Sequence, residues 1–525
     1  MTGRAVPRRL LHEALLEHAA DPSRARHAAV VAEGRAYSYA ELLDGALRLA
    51  AALRRHGVQR GDRVAIYMDN TWPCAVSIFA ALLAGAAFMV VNPLTKSDKL
   101  GFMLDDSGAR VLLTDGHIAH EFLPLLAARP GLRVIASGRL PEGAGIEAFD
   151  NALAAHEPLR EPPAAIALDL AALIYTSGST GQPKGVMHTH QSMLFAAGSL
   201  IEYLRLGGDD RILCALPLAF DYGLYQWLMA VQLGATLVLE RSFAFPAQVF
   251  ARMREHAVTV FPGVPTVFAM LLSAHRGEPL CFPAVTRVTN TAAALPDEQA
   301  LRLREVFPNA LIYKMYGLTE CKRVCYLEPG LLDAKPGSVG KAIPGTEVFL
   351  RTPDGRPVPC GEAGILHVRG PHVMLGYWNR PDLSAQMLRP GPLPGERVLC
   401  THDWFRMDDE GFLYFVGRSD DIIKTRGEKV SPVEVENALH AIEGVREAAV
   451  VGVPDDLLGQ AVRAFVVLQP GASLGASQLR AQCMKRLENF MVPQQIVIRD
   501  ELPRTDTGKV SRKALLEQSL AEGNR

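Results

Sequence analysis

The sequence predicts an α/β protein with parallel sheets, built as a large N-terminal body followed by a smaller α+β C-terminal domain. The chain has 525 residues, which is too long for one hydrophobic core and indicates two or more domains. Short apolar runs alternate with helical segments through most of the chain, and such alternation favours parallel sheets covered by helices. A glycine and a cluster of charges at Gly417–Asp421 separate the last strand of the body from a new unit.

One helix and one long apolar run stand out near the start of the chain. The pattern Tyr39–Arg55 predicts a helix, and Ser38 with Glu41 three residues later predicts a capping box at its beginning. The uncharged run Cys74–Val91 is long enough to be a membrane-span candidate. Because Gly85 and many alanines interrupt it, we predict a buried helix, a glycine turn and a buried strand.

Periodicity and turn residues place the remaining elements. Further helices are predicted at Arg9–Ala19, Val76–Leu83, Lys99–Asp105, Gln191–Leu204 and Ser477–Glu488. Strands are predicted at Arg63–Met68, Phe88–Val91, Val111–Leu113, Ala171–Tyr175, Arg211–Leu216, Ala235–Glu240, Val258–Phe261, Ala284–Val288, Ala310–Ile312, Leu413–Val416, Ala448–Val453, Val462–Leu468 and Gln495–Arg499. Asp354-Gly355 predicts a hairpin. The segment Ala136–Pro163 has no clear period and is interpreted as a surface connection.

Composition argues against several classes of function. The net charge of −1 gives no sign of a nucleic-acid binder. The eight cysteines are scattered without a Cys-x-x-Cys pair, which favours free thiols in a reducing compartment over a disulfide framework or a zinc site. Met1–Ala20 contains acidic residues and no long apolar core, so it is not a secretory signal. We therefore expect a cytoplasmic protein without a membrane span.

The densest chemical signal is Ile174–Val186, which reads Ile-Tyr-Thr-Ser-Gly-Ser-Thr-Gly-Gln-Pro-Lys-Gly-Val. Its glycines allow the backbone to approach a ligand closely, and its N–H groups and hydroxyls suit phosphate oxygens. The spacing differs from the Walker pattern. The alternative is a flexible surface loop. We predict a nucleotide-phosphate loop formed by Thr176, Ser177, Gly178, Ser179, Thr180, Gly181 and Lys184.

This stretch closely resembles the phosphate loop of the adenylate-forming superfamily, which comprises acyl- and aryl-CoA synthetases, carrier-protein-loading adenylation domains and luciferases. Four later segments match motifs of that superfamily in the same order, so the resemblance extends from residue 174 to residue 509. It implies an N-terminal ATP- and acyl-binding domain of residues 1–419 that includes a small β-barrel-like part. It further implies a mobile C-terminal lid of residues 420–525, hinged at Asp420.

The second motif is Tyr316-Gly317-Leu318-Thr319-Glu320. A tyrosine can stack on a purine, a threonine hydroxyl can bond phosphate, and a carboxylate can hold Mg²⁺. The alternative is a strand end with a packed tyrosine. The resemblance implies adenine contacts from Tyr316 and Gly317, a phosphate contact from Thr319, and a metal ligand in Glu320. Ala292 and Ala293 lie where the superfamily has its glycine-rich adenine wall, and ATP contacts are expected there too.

The later motifs supply a ribose ligand and the lid residues. The resemblance implies that Asp403 holds the ribose and that Arg418 reaches the nucleotide; the alternative for Asp403 is a capping or turn residue. In the lid, Lys424 matches a lysine used in the second step, and Gly427 lies on the loop that lines the pantetheine tunnel. Lys509 matches the catalytic lysine that reaches the α-phosphate.

The acyl pocket is expected around the segment Leu216–Leu224, which matches a pocket-lining segment of relatives. A buried carboxylate needs a partner. Asp221 would pair either with a substrate amine, as in amino-acid-activating domains, or with a neighbouring lysine or arginine. The pocket residues implied by the resemblance are Phe220, Asp221, Tyr222, Gly223 and Lys322.

The resemblance implies an ATP-dependent, AMP-forming carboxylic acid–CoA ligase. Its two steps give acyl-adenylate and pyrophosphate, and then a thioester with release of AMP. ATP, Mg²⁺ and coenzyme A are the implied cofactors. The alternatives are loading of an acyl or aminoacyl group onto the phosphopantetheine of a carrier protein, and a catalytically inactive nucleotide-binding relative. The catalytic residues are predicted to be Lys509, Lys184, Glu320 and Lys424.

Overall fold

The computed structural model describes residues 7–139, 145–176, 183–277, 279–291, 295–418, 421, 423–425, 428–455, 458–487, 489–505 and 508–523. These residues form a mixed α/β fold with a large body of parallel sheets and a smaller C-terminal domain, so the predicted fold class is confirmed. None of the described helices is long and apolar enough to cross a membrane.

The elements up to residue 204 alternate between helices and strands. In chain order they are α1 (Glu13–Ala20), β1 (Ala28–Ala32), β2 (Arg35–Ser38), α2 (Tyr39–Arg55), β3 (Arg63–Tyr67), α3 (Trp72–Leu83), β4 (Ala87–Val91), α4 (Ser97–Ser107), β5 (Val111–Asp115), α5 (Ala119–Leu126), β6 (Arg133–Ser137), β7 (Glu147–Ala148), α6 (Phe149–Ala154), β8 (Leu170–Thr176), β9 (Lys184–Thr189) and α7 (His190–Leu204).

The first sheet follows the order β7-β6-β5-β3-β4-β8-β9 and is parallel except for its last pair, β8 and β9. The run Cys74–Val91 forms most of α3, a turn at Gly85 with a φ of 80°, and β4. The side chains of α3 beyond its first turn are buried, which confirms the interpretation as a core segment. The capping box is also confirmed, since Ser38 and Glu41 exchange both hydrogen bonds at the beginning of α2.

The interpretation of residues 136–163 as a surface connection is partly wrong. β7 and α6 lie within this segment, and β7 pairs with β6 at the sheet edge. Phe149 and Ala152 are buried, and α6 packs against α2. A helix of six residues is too short to show a period in the sequence.

The middle of the chain contains more strands than helices. In order these elements are β10 (Arg211–Cys214), α8 (Asp221–Leu233), β11 (Thr236–Leu239), α9 (Pro246–Glu255), β12 (Val260–Gly263), α10 (Pro265–Gly277), β13 (Arg287–Asn290), α11 (Asp297–Val306), β14 (Leu311–Tyr316), β15 (Cys325–Leu327), β16 (Ser338–Ala342), β17 (Glu347–Arg351), β18 (Ala363–Arg369), α12 (Pro381–Met387), β19 (Leu388–Pro390), β20 (Arg397–Met407) and β21 (Leu413–Arg418).

The second sheet joins a parallel half to an antiparallel half. Its parallel strands follow the order β1-β11-β10-β12-β13-β14, and β15, β16, β21, β20, β18 and β17 continue it in antiparallel fashion. The hairpin predicted at Asp354-Gly355 is confirmed by the pairing of β17 with β18. Because the carboxyl ends of parallel strands meet at one edge, the segments that follow β10, β13 and β14 lie along the same edge of the sheet.

The C-terminal domain has its own sheet and its own apolar core. Its elements are β22 (Ile423–Thr425), β23 (Glu428–Val430), α13 (Pro432–His440), β24 (Val445–Asp455), β25 (Gly459–Leu468), α14 (Ala476–Cys483), β26 (Gln495–Arg499) and α15 (Arg512–Gly523). The sheet order is β23-β22-β25-β24, with β26 beside β25. Alternate residues of β24 and β25, such as Val450 and Phe465, are buried on opposite faces of this sheet. Ser431 donates to the carbonyl of Val416 in β21 and ties the domain to the body.

Candidate active site

The phosphate-loop segment connects two strands, β8 and β9, whose facing ends carry predicted loop residues. Thr176 ends β8, Lys184 begins β9, and the two residues are register partners in the antiparallel pair. Within the described residues, the buried hydroxyl of Thr176 has no hydrogen-bond partner. The other predicted loop residues lie outside the described residues: Ser177, Gly178, Ser179, Thr180 and Gly181.

Lys184 and Glu320 are joined through a tyrosine. The ammonium group of Lys184 donates to the hydroxyl of Tyr377 at 2.9 Å and lies 3.9 Å from a carboxylate oxygen of Glu320. The Tyr377 hydroxyl in turn donates to Glu320 at 2.5 Å. Burial and the Glu320 charge raise the pKa of Tyr377 far above its usual range, so it remains a donor. These three side chains hold each other beside the phosphate-loop segment.

The turn that carries Thr319 and Glu320 is packed tightly. A Cβ on Gly317 would lie 2.3 Å from the carbonyl oxygen of Lys322, so this position has no room for a side chain. His188 from β9 lies with its Nε2 2.8 Å from the carbonyl oxygen of Thr319. Burial lowers the pKa of His188, which favours a neutral ring that donates to this carbonyl. The phosphate-loop hairpin and the second motif are thereby fixed to one another.

Asp403 is a buried acceptor with one unused oxygen. Its Oδ2 accepts from the hydroxyl of Tyr316 at 2.5 Å, while its Oδ1 is buried without a hydrogen-bond partner among the described residues. Arg418, its register partner on β21, has its Nε 3.5 Å from Oδ1. Burial raises the pKa of Asp403 to about 6, and the Arg418 charge opposes that shift. A carboxylate with an unused oxygen suits the hydroxyl donors of a ribose.

The predicted acyl-pocket residues gather where α8 begins. Lys322 donates to the backbone carbonyl of Asp221 at 2.9 Å, and its Nζ lies 3.4 Å from the Asp221 carboxylate. Of the two partners left open for Asp221, the structure therefore contains the lysine. Burial lowers the pKa of Lys322 to about 7, although the Asp221 charge opposes this shift. Phe220 precedes the helix, Tyr222 is buried, and a Cβ on Gly223 would lie 2.3 Å from the carbonyl oxygen of Pro217.

Lys509 of the C-terminal domain faces the same cleft of the body. The carboxylates of Asp221 and Asp403 are close enough to act electrostatically on its ammonium group, as is Arg418. The protein surrounding the ammonium group lowers the pKa of Lys509, although the side chain stays exposed to water along part of its length. The structure thus brings Lys509 together with the predicted ribose and acyl-pocket residues.

Some predicted residues cannot be placed. Ala292, Ala293, the predicted hinge residue Asp420 and Gly427 lie outside the described residues. Lys424 belongs to β22, where its backbone pairs with Lys429 of β23, and its side chain is not described.

Sequence reasoning missed Tyr377 and gave no role to His188. His188 follows the phosphate-loop segment directly, and its closeness to that motif was the available signal. Tyr377 lies in Gly376-Tyr377-Trp378-Asn379, nearly 200 positions from Lys184 in the sequence, where nothing marks it as a site residue. Its role becomes visible only when the fold places it between two predicted site residues.

Among the described residues beside the phosphate-loop segment, Glu320 offers a carboxylate suited to a metal. Mg²⁺ commonly takes one or two carboxylates and completes its shell with substrate phosphates and water. Glu320 is only 8% exposed, and its carboxylate fits that kind of site. Neither cluster of three potential ligands among the described residues includes it; these clusters are Asp69, Asp115 and His117, and Asp408, Asp409 and Glu410.

The fold and this cleft define a nucleotide-binding α/β protein with a C-terminal domain that contributes a lysine. The chain belongs to the family of AMP-binding enzymes: the family profile matches residues 16–378, and that of the AMP-binding enzyme C-terminal domain matches residues 434–509. This is the adenylate-forming superfamily indicated by its motifs.

Three similar proteins illustrate the relationship. A long-chain-fatty-acid–CoA ligase of Bacillus subtilis (strain 168) is 32% identical over 514 residues, which cover 92% of this chain and 90% of the relative. A feruloyl-CoA synthase of Amycolatopsis sp is 35% identical over 488 residues, with coverages of 92% and 94%. The crystal structure of a benzoate CoA ligase from Burkholderia xenovorans LB400 superposes with a TM-score of 0.87 at 30% identity, covering 97% of this chain and 99% of that chain.

Proposed function

We propose that this protein is an ATP-dependent, AMP-forming ligase that joins a carboxylic acid to coenzyme A. The similar proteins are named as acid–CoA ligases, and the chain matches them over nearly its whole length. The observation that carries the proposal is the convergence on one cleft of Lys184, Glu320, Asp403 and Lys509, from two domains.

The first step activates the acid. A carboxylate is a poor electrophile, and attack of its oxygen on the α-phosphate of ATP converts it to an acyl-adenylate while pyrophosphate leaves. The protein contributes mainly positioning and neutralisation of charge. Lys184 and Lys509 would offset the negative charge on the phosphates, and Asp403 would fix the ribose. Mg²⁺ held by Glu320 would supply further neutralisation of the phosphate charge.

The second step transfers the acyl group to a thiol. The thiol of coenzyme A attacks the activated carbonyl, and the bond to AMP breaks. No nucleophile of the protein is required. We infer that the lid of residues 420–525 rotates about Asp420 and exchanges Lys509 for the face that carries Lys424 and Gly427. This division of the chain and these residue roles follow from the resemblance of the motifs.

Coenzyme A is the acceptor favoured by the names of the similar proteins, and a carrier-protein phosphopantetheine is the alternative. Both carry the same thiol, so a direct comparison separates them. The cytoplasmic location stays a prediction.

The decisive experiment is an acid-dependent pyrophosphate assay. Purified protein with ATP and Mg²⁺ is offered a panel of carboxylic acids, first without acceptor and then with coenzyme A or a holo carrier protein. We expect pyrophosphate release that requires an acid, followed by AMP release and thioester with coenzyme A. Lys184→Met serves as the inactive control. ATP that is never cleaved between its α- and β-phosphates, whatever acid is offered, would overturn the proposal.

A further inference from the structure

Arg323 is a buried cation without a carboxylate partner among the described residues. Arg323 is only 1% exposed, and its Nη1 donates to the hydroxyl of Thr291. Its Nε is buried without a hydrogen-bond partner, and no ion pair within the described ranges involves Arg323. Residues 292–294, which follow Thr291, are alanines and bring no carboxylate to it.

The described contacts of the Arg323 guanidinium are with neutral side chains. Its guanidinium lies 5.7 Å from the ring centre of Tyr222, whose hydroxyl is 2.7 Å from the hydroxyl of Thr289. The hydroxyl of Tyr203 also lies near the guanidinium. These contacts solvate the cation but do not cancel its charge. The neighbouring Lys322 already forms an ion pair with the carboxylate of Asp221. Among the described residues, this cluster therefore contains two cations, Lys322 and Arg323, and one carboxylate.

The cluster lies on the acyl side of the cleft. Tyr222 belongs to the first turn of α8, directly after Asp221, whose carboxylate acts on Lys509. Thr291 directly follows β13 at the sheet edge where the predicted pocket segments meet. An unpaired guanidinium in a protein interior costs several kcal/mol, and such a charge is ordinarily offset by an anion. The missing anion would therefore come from a molecule bound in the acyl pocket.

We infer that Arg323 anchors a second carboxylate on the acid that is activated, so that the preferred substrates are dicarboxylic acids. This inference rests on the proposed ligase function. A guanidinium binds a carboxylate through parallel N–H donors, which Lys322 could not reproduce. A site built around a buried polar group also rejects analogues that lack the complementary group, because that group is then left unpaired.

The substrate test needs only the wild-type protein. Pyrophosphate release is measured with straight-chain acids of increasing length and with para-substituted benzoic acids, each acid compared with and without a terminal carboxylate. Succinic against butyric acid and terephthalic against 4-methylbenzoic acid are two such pairs. In the pair whose length fits, kcat/KM should be at least tenfold higher for the diacid. The inclusion of 4-hydroxybenzoic acid separates an anionic from a hydroxyl end group.

The variant test asks whether Arg323 causes the preference. Arg323→Met keeps the volume and removes the charge, and it should raise KM for the diacid at least tenfold while kcat with the matched monoacid changes less than twofold. Arg323→Lys should fall in between. A purely structural role would instead lower kcat with every acid equally. Thr291→Val removes only the hydroxyl that accepts from Arg323. This variant should also weaken the preference for the diacid over the monoacid.

The outcomes separate this inference from the proposed function. Wild-type protein that prefers monoacids or hydroxyl acids refutes the anchoring role while leaving the ligase intact, as does an unchanged preference in Arg323→Met. No acid-dependent pyrophosphate release with any compound overturns both. If Arg323→Met does not fold, the wild-type comparison and Thr291→Val decide.

Discussion

At the scale of single residues, the cleft is marked by buried polar atoms with unused bonding capacity. The Oδ1 of Asp403, the hydroxyl of Thr176 and the Nε of Arg323 are all buried without a hydrogen-bond partner in the described part of the chain, although Arg418 lies within ion-pair distance of Asp403. Such atoms are uncommon in folded proteins because each costs free energy that a partner would recover. Buried atoms of this kind also occur away from the cleft, as at Thr114 and Thr425, so those of Thr176 and Asp403 are informative because both are predicted site residues.

The raised pKa of Asp403 predicts an acid-sensitive affinity for ATP. The ionised carboxylate is a stronger acceptor for the proposed ribose hydroxyls than the protonated acid. Because burial raises the pKa of Asp403 to about 6, this group is mostly protonated at pH 5. We expect KM for ATP to rise about tenfold between pH 7.5 and pH 5. Initial rates at saturating acid and Mg²⁺, measured across this range, provide the test.

A matched variant isolates this titration. Asp403→Asn should have a high KM for ATP that varies little with pH, and any dependence that remains belongs to the nucleotide itself. The effect of pH on the free energy of unfolding has the opposite sign to that of a usual aspartate, whose pKa is lowered by folding. Because the folded-state pKa lies above the ordinary value of 3.8, this group makes the free protein less stable as pH rises from about 4 through 6. An equal pH dependence of KM for ATP in wild type and Asp403→Asn would contradict the proposed role of Asp403.

Tyr377 is predicted to position Lys184 and Glu320. Tyr377→Phe removes the hydroxyl that bonds both groups and leaves the ring in place. Hydrogen bonds to charged groups contribute about 1.5–3 kcal/mol, so kcat/KM for ATP should fall roughly 10- to 100-fold. Tyr414→Phe is the control, because Tyr414 also bonds a carboxylate, that of Asp408, and no predicted site residue. If the two variants behave alike, Tyr377 has no special role.

At the scale of elements, the local sequence was sufficient to predict an element whose cap and apolar pattern both lie within or beside it. α2 has the predicted bounds because its cap and its apolar face are both local. β7 and α6 were missed because a short element depends on what covers it. The same reason hid Tyr377 from sequence reasoning, because its importance comes from partners far away in the sequence. Local motifs therefore nominated candidate phosphate and ribose residues, but they could not reveal the distant contacts that hold those residues in place.

The capping box of α2 predicts a change in stability without a change in activity. Ser38→Ala removes the acceptor for the backbone N–H of Glu41 and should lower the free energy of unfolding by about 1 kcal/mol. Urea unfolding followed by circular dichroism measures this change. KM for ATP and kcat should stay within twofold of wild type. Ser23→Ala, in an exposed turn, provides the control and should leave the unfolding midpoint unchanged.

At the scale of the whole molecule, the C-terminal domain brings Lys509 to the cleft of the body, as the proposed first half-reaction requires. Lys509 shares the cleft with Asp221 and Asp403 in this structure. Lys424 is separated from Lys509 by most of the C-terminal domain in sequence and belongs to β22, at the other end of that domain's chain. A rigid protein would need both lysines in the cleft at once, whereas a rotating lid would use them in turn.

Substitutions of the two lysines are therefore expected to impair opposite half-reactions. Lys509→Ala should slow acyl-adenylate formation at least 100-fold, since it removes charge stabilisation at the α-phosphate, yet it should retain thioester formation from supplied acyl-adenylate. Lys424→Ala should do the reverse. The two half-reactions are measured separately, by pyrophosphate release and by AMP release from the adenylate with coenzyme A. Lys513→Ala, an exposed lysine on α15, should leave both rates unchanged. Equal loss of both steps in both variants would mean that one fixed arrangement serves the whole reaction.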